Sequence, residues 1–168
     1  VFNRWLLNYN RRKAPFERRA GGAFAVASYQ RATELEPLSP SNWTELGITY
    51  LAAAEQARPL TASTDATTAQ GAQTQLTTLL ASAQASFEKA VELKPNYAPA
   101  HFQLAVTYER QGRMNDAIGK MESVAQYNQL DVGVFFQLGM LYLQRDGMGD
   151  MNRSQAAFEH AVKLAPGY

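Results

Sequence analysis

His101 and His160 are the two side chains of this chain that exchange protons near neutral pH, so acid–base catalysis or metal ligation is the chemistry they would serve. They stand in separate stretches, each at a regular helical position. His101 takes a place held elsewhere by Trp43 and Phe135, so packing is its expected role. Cysteine is absent, which removes thiolate nucleophiles, thiolate metal sites and a disulfide framework. That suits a reducing compartment, or an exported protein that never relied on disulfides. No metal-ligand spacing, phosphate-binding glycine loop or nucleophile motif appears. Asp146 and Asp150 flank Gly147 and Gly149, a poor match to a calcium loop and a good one to a polar turn. Asn42-Trp43-Thr44 and Asn152-Arg153-Ser154 are glycosylation acceptors if the protein is exported. Both asparagines also fall at helix starts, where Asn is a good N-cap. No catalytic, cofactor-binding or metal-binding residue is expected, and no cofactor.

With 168 residues and 46% hydrophobic content, the chain has one domain's length and enough apolar material for a core. Its charge is unevenly spread. Residues 1–19 hold Arg4, Arg11, Arg12, Lys13, Arg18 and Arg19 against Glu17, a net of +5. With +1 for the whole, the remainder carries −4. No run approaches the roughly 18 apolar residues of a membrane span. The first residue is Val rather than Met, which suggests a processed product or a fragment.

Two signatures alternate along the chain. The first reads Trp43-x-x-Leu46-Gly47-x-x-Tyr50, His101-x-x-Leu104-Ala105-x-x-Tyr108 and Phe135-x-x-Leu138-Gly139-x-x-Tyr142. The second reads Tyr29-x-x-Ala32 … Pro37, Phe87-x-x-Ala90 … Pro95 and Phe158-x-x-Ala161 … Pro166, with a weaker copy at Met121-x-x-Val124 … Gln129. Leu and Tyr at i and i+4 share one helix face. The prolines end each unit, because proline cannot continue a helix and disfavours it in the residue before. Small residues such as Gly47, Ala105 and Gly139 stand where two helices approach closely. The spacing predicts helices over 2–12, 22–36, 41–58, 65–93, 97–111, 114–127, 131–145 and 151–164. A recurring unit of this size marks a stack of helix pairs.

In these residues the chain resembles the tetratricopeptide repeat family. Asn42-Trp43-Thr44-Glu45-Leu46-Gly47-Ile48-Thr49-Tyr50 is similar to the first half of its motif, and the run from Ala83 to Pro95 to the second. The resemblance covers roughly 22–166. It implies an all-α, right-handed solenoid of antiparallel helix pairs with a concave ligand face. Residues 20–168 would form this solenoid, and residues 1–19 a basic, aromatic N-terminal helix and linker. The chain departs from the family at three places. Tyr50 to Ala83 is much longer than the usual spacing, which calls for an extended helical hairpin, or a loop containing Gly71, at about 55–82. A turn is lengthened around Gly147-Met148-Gly149. At one period before the Leu46-Gly47 pair stand Arg12 and Lys13, so 1–19 does not match a first helix.

The resemblance implies that the first helix of each pair lines the concave face. Matching by register places Thr44, Ile48, Leu51 and Ala52 there, then Phe102, Val106, Glu109 and Arg110, then Phe136, Met140, Leu143 and Gln144. The stripe is mostly apolar, and an exposed stripe of this kind marks a binding site unless the chain fills it itself. Residues that would clamp a peptide carboxylate are missing, so a receptor for chaperone tails is not expected. Phe2, Trp5, Leu6 and Tyr9 form a second apolar stripe, followed by Arg11, Arg12 and Lys13. It reads as a capping helix, as a helix docking on a neighbouring molecule, or as the end of a membrane anchor. Nucleic acid is not an expected partner, because the basic patch is short and the rest is acidic. The expected function is a non-enzymatic protein–protein scaffold. Self-assembly head-to-tail, through the N-terminal segment and an uncapped C-terminal end, is favoured over capture of a foreign peptide. The alternatives are a peptide- or helix-binding module, and the soluble appendage of a bacterial envelope polysaccharide ligase-like membrane protein. Localisation is left open, with the exported or envelope reading ahead of the cytoplasmic one.

Overall fold

A computed structural model describes residues 22–166, and among them the backbone forms seven α-helices and no strand. They are α1 (Gly22–Leu35), α2 (Pro40–Ala57), α3 (Ala66–Leu93), α4 (Ala98–Arg110), α5 (Met114–Tyr127), α6 (Val132–Arg145) and α7 (Asp150–Leu164). A short 3-10 turn, Arg58–Ala62, joins α2 to α3. The helices read from residue spacing over 22–166 end within one residue of these bounds. The helix expected at 2–12, and the whole segment 1–19, lie outside the described residues.

Local chemistry sets the helix ends. The Ser39 hydroxyl accepts from the Asn42 amide ahead of α2, and Pro40 occupies the first turn, where no N–H is needed. Asp65 caps α3 by accepting from the Thr68 amide, and Asp131 caps α6 by accepting from Gly133 and Val134. Gly112, at φ +75°, turns the chain between α4 and α5 in a conformation that other residues rarely adopt.

The helices pack as α2 on α3, α4 on α5 and α6 on α7. Successive pairs meet through α1 on α2, α3 on α4 and α5 on α6. This is an all-α solenoid of helix pairs. Within two of the pairs a glycine of the first helix lies under an aromatic ring of the second. A Cβ on Gly47 would sit 2.5 Å from the Phe87 ring, and one on Gly139 would sit 2.7 Å from that of Phe158. Phe87, Leu104, Met121, Val134 and Leu141 are fully buried and make the core with small partners such as Ala83, Ala105 and Ala117.

The long stretch after Tyr50 is helical. At 28 residues, α3 has twice the 14 of α5, and Gly71 lies inside it. Ala72 and Leu80 are buried and Leu76 is half-buried, each one turn from the next, while α2 buries Ala54 and Ala57. From Ala66 through Phe87 no residue is charged. Thr74, Thr77 and Thr78 donate their hydroxyls to carbonyls one turn back, those of Gln70, Gln73 and Thr74.

Candidate functional site

The histidines hold backbone. Trp43 Nε1–H donates to the Pro37 carbonyl at 2.8 Å, and His101 Nε2–H donates to the Pro95 carbonyl at 2.7 Å. The equivalent Phe135 has no such donor. There His160, across from α7, donates through Nε2 to the Gln129 carbonyl at 3.3 Å, with its ring centroid 4.0 Å from that of Phe135. Each contact fastens the turn that ends a unit. Among the described residues no cluster of three or more His, Asp or Glu could hold a metal ion.

A second recurring device joins one unit to the next. The Gln30 amide donates to the Tyr50 hydroxyl at 2.9 Å, the Tyr108 hydroxyl donates to Glu88 at 3.3 Å, and the Tyr142 hydroxyl donates to Glu122 at 2.5 Å. The partners in every rung are 20 residues apart. That step is present in the sequence, but helical register alone does not single it out. Burial, reinforced by Glu122, pushes the Tyr142 phenol up to about 12, and burial with Glu88 raises Tyr108 as well. Arg113 lies 4.3 Å over the Tyr108 ring.

Asp150 is buried at the start of α7. Its carboxylate takes Arg145 Nε at 2.7 Å and a terminal guanidinium nitrogen at 2.5 Å, and accepts from the Gly147 amide at 2.9 Å. The Arg145 hydrogen bonds hold it down to about 2. Asp146 closes α6 in the left-handed region at φ 49°. The two aspartates thus shape a turn. Of the two glycosylation acceptors, Asn42 donates its amide to Glu36 at 3.0 Å and to the Ala32 carbonyl, and Asn152 is exposed.

The concave stripe is where apolar side chains gather outside the core. Phe102, Val106, Glu109 and Arg110 of α4 and Phe136, Met140, Leu143 and Gln144 of α6 line one open groove of about 550 Å³. Phe136, Met140 and Leu143 are 45%, 44% and 43% exposed. Its polar members are engaged laterally. Arg110 pairs with Glu55 of α2, and Gln137 donates to Glu109 at 3.2 Å, which leaves the apolar groups facing outward. From α2, Ile48 and Leu51 are half-buried against the core. Thr44 is not on this surface: it is buried, and its hydroxyl donates to the Pro40 carbonyl at 2.8 Å. Phe2, Trp5, Leu6, Tyr9, Arg11, Arg12 and Lys13 lie outside the described residues.

The sequence reading named no residue of α7 as part of a binding surface. Leu143, Met151, Phe158 and Val162 line a shallow apolar depression of about 650 Å³, edged by Gln155, Glu159 and Lys163. Leu143 belongs to both hollows, so one apolar surface runs from the concave face onto the end of the stack. No described helix is long and apolar enough to cross a membrane.

Models of the tetratricopeptide repeat match residues 86–119 and residues 132–168. No curated protein sequence compared with the chain matches it. Among solved structures, the thermophilic TPR protein TTC0263 of Thermus thermophilus superposes with a TM-score of 0.65 at 21% identity, over 85% of this chain and 65% of that one. MamA MSR-1 C2 superposes at 0.63 with 17% identity, over 90% of this chain and 71% of its own. A monomeric mutant of IFIT1 with Gppp-AAAA reaches 0.54 at 20% identity, over 90% of this chain and 46% of its own. This chain therefore spans just under two thirds of the Thermus protein and under half of IFIT1. At these identities the likeness is one of fold.

Proposed function

We propose that this chain, whose residues 86–119 and 132–168 match tetratricopeptide repeat models, is a protein–protein interaction scaffold whose concave groove seats the apolar face of a partner helix or peptide without chemistry on it. The observation that carries this reading is the row Phe136, Met140 and Leu143, exposed on one helix face at i, i+4 and i+7 and continued by Phe102 across the groove. Large apolar side chains kept in water cost stability, and a partner that covers them recovers it at about 25 cal/mol per Å² buried. Apolar anchors of this kind concentrate binding energy in a few residues. Helical peptides selected from a displayed library against the chain should have an apolar stripe. Phe102→Ala with Phe136→Ala should weaken them at least tenfold while the far-ultraviolet helical signal stays. Undiminished binding by that variant would remove the groove from the reading.

The depression on α7 favours a second reading, in which copies of the chain assemble head-to-tail. Such a contact uses two different surfaces and forms rings if it closes and filaments if it does not. Sedimentation velocity at tens of micromolar checks it, since a single species of monomer mass excludes it.

A further inference from the structure

We infer that the outer part of the long hairpin, residues 56–79, opens and closes on its own while the stack stays folded, and that it is where the folded chain is cut, by an endoprotease that reads aliphatic residues. The inference is independent of the groove and of assembly.

Burial supplies the first argument. From Gln56 through Leu79 the buried residues are Ala57 and Ala72. The 3-10 turn Arg58–Ala62, which packs along α3, buries none of its own residues. The second half of α3 differs, for Leu80, Ala83, Ser86, Phe87 and Ala90 are all buried there. A buried alanine withdraws one methyl group from water, so apolar burial holds the outer hairpin far less firmly than it holds the stack.

Side-chain ties to the next unit stop at the same level. Glu55 of α2 pairs with Arg110 of α4, and Gln84 Oε1 of α3 accepts from Gln111 Nε2 at 3.0 Å and from Arg113 at 3.4 Å. The side-chain bonds of residues 56–79 stay inside the hairpin, as those of Thr61 with Arg58, Asp65 with Thr68 and Arg58 with Glu55 do. Glu55, Leu80 and Gln84 therefore mark where the stack begins.

Helix chemistry agrees. The first half of α3, residues 66–79, contains Gly71 and five threonines, all poorer helix formers than alanine. With no charge from Ala66 through Phe87, no ion pair one turn apart can support it. The hydroxyls of Thr74, Thr77 and Thr78 bond back to carbonyls of their own helix, which weakens a helix slightly. Few buried contacts and solvent-facing backbone bonds are the marks of a segment that opens below the free energy of global unfolding. Opening frees the backbone around Leu60, Leu76 and Leu79. Hydrolysis there adds water across one peptide bond, the oxygen to the carbonyl carbon and a proton to the departing amine. The cut chain stays assembled, because Phe87 and the Gln84 ties lie beyond the cut.

The sequence carries its own control. No Lys or Arg stands between Arg58 and Lys89, and Pro59 shields the bond after Arg58, so trypsin has no site in the outer hairpin. The full-length chain is treated under native conditions with thermolysin, which cuts ahead of large aliphatic residues, or with trypsin, and the fragments are weighed. Within residues 22–166 the first thermolysin cuts should fall between Leu60 and Leu79, and the nicked chain should elute with the intact one. Arg110, Arg113 and Lys120, in the middle of the stack, should resist trypsin over the same time. The cutting rate follows the open population when closing outpaces cutting. Gly71→Ala favours the closed helix and should slow the nick about fivefold. First cuts in α4 or α5, or tryptic cuts there at the rate of the thermolysin nick, would overturn the inference. So would a nicked chain that falls apart, or a Gly71→Ala chain nicked as fast as the wild type.

Discussion

Single atoms decide how closely these helices pack. Gly47 is small because the Phe87 ring occupies the space its side chain would need, and Phe87 is fully buried, with no free direction in which to turn. Alanine favours a helix over glycine by up to about 1 kcal/mol, whereas overpacking a filled core costs about 1–3 kcal/mol. The second effect wins at Gly47, so Gly47→Ala should lower the unfolding midpoint by several degrees. At Gly71 a new Cβ meets nothing within 4 Å, and Gly71→Ala should raise the midpoint instead. Calorimetry on the pair separates the two effects, and equal shifts of one sign would refute the packing account. The histidines teach a related lesson. A residue type suggestive of chemistry, His101, does what the Trp43 indole does, which is to hold a carbonyl at the end of a unit.

At the scale of elements, the joints between units are titratable. Tyr142 is held protonated well above its ordinary range because its phenol is buried and bonded to Glu122. Its folded value of about 12 exceeds the unfolded value near 10, so its contribution is complete below pH 10 and is lost as pH rises towards 12. Thermal unfolding should therefore move to lower temperature between pH 10 and 12. Tyr142→Phe should flatten part of that fall; an unchanged alkaline profile would show that the phenol does not matter there. Much of this architecture was legible in residue spacing, since Leu46, Gly47 and Tyr50 and their copies, with the prolines that end each unit, placed the helix ends to within one residue. The ladder was not, because its partners lie on different helices and follow no helical period. The long hairpin was ambiguous for another reason: Ala, Thr and Gln give weak periodicity, and only the sparse stripe Ala72, Leu76, Leu80 marks the inner side of α3. Thr44 was misplaced because register assigns a face but does not tell how far the neighbouring residues cover it, and here they bury it.

Across the whole molecule, each pair touches only its neighbours, so stability accumulates along a line. Amide hydrogen exchange should be slowest in α4 and α5, which are flanked on both sides, and faster in α7, whose outer face is open. Uniform protection from α4 to α7 would mean that the stack opens as a single unit. Contacts of such short sequence range also favour fast folding. The long α3 adds a mechanical consequence. The 14 residues by which it exceeds α5, at about 1.5 Å each, make with the end of α2 an arm of about 21 Å anchored at one end of its helix pair. If the stack flexes by about 10° at a joint, the tip of such an arm sweeps about 4 Å, so a small angular change at the base becomes a displacement as large as a side chain.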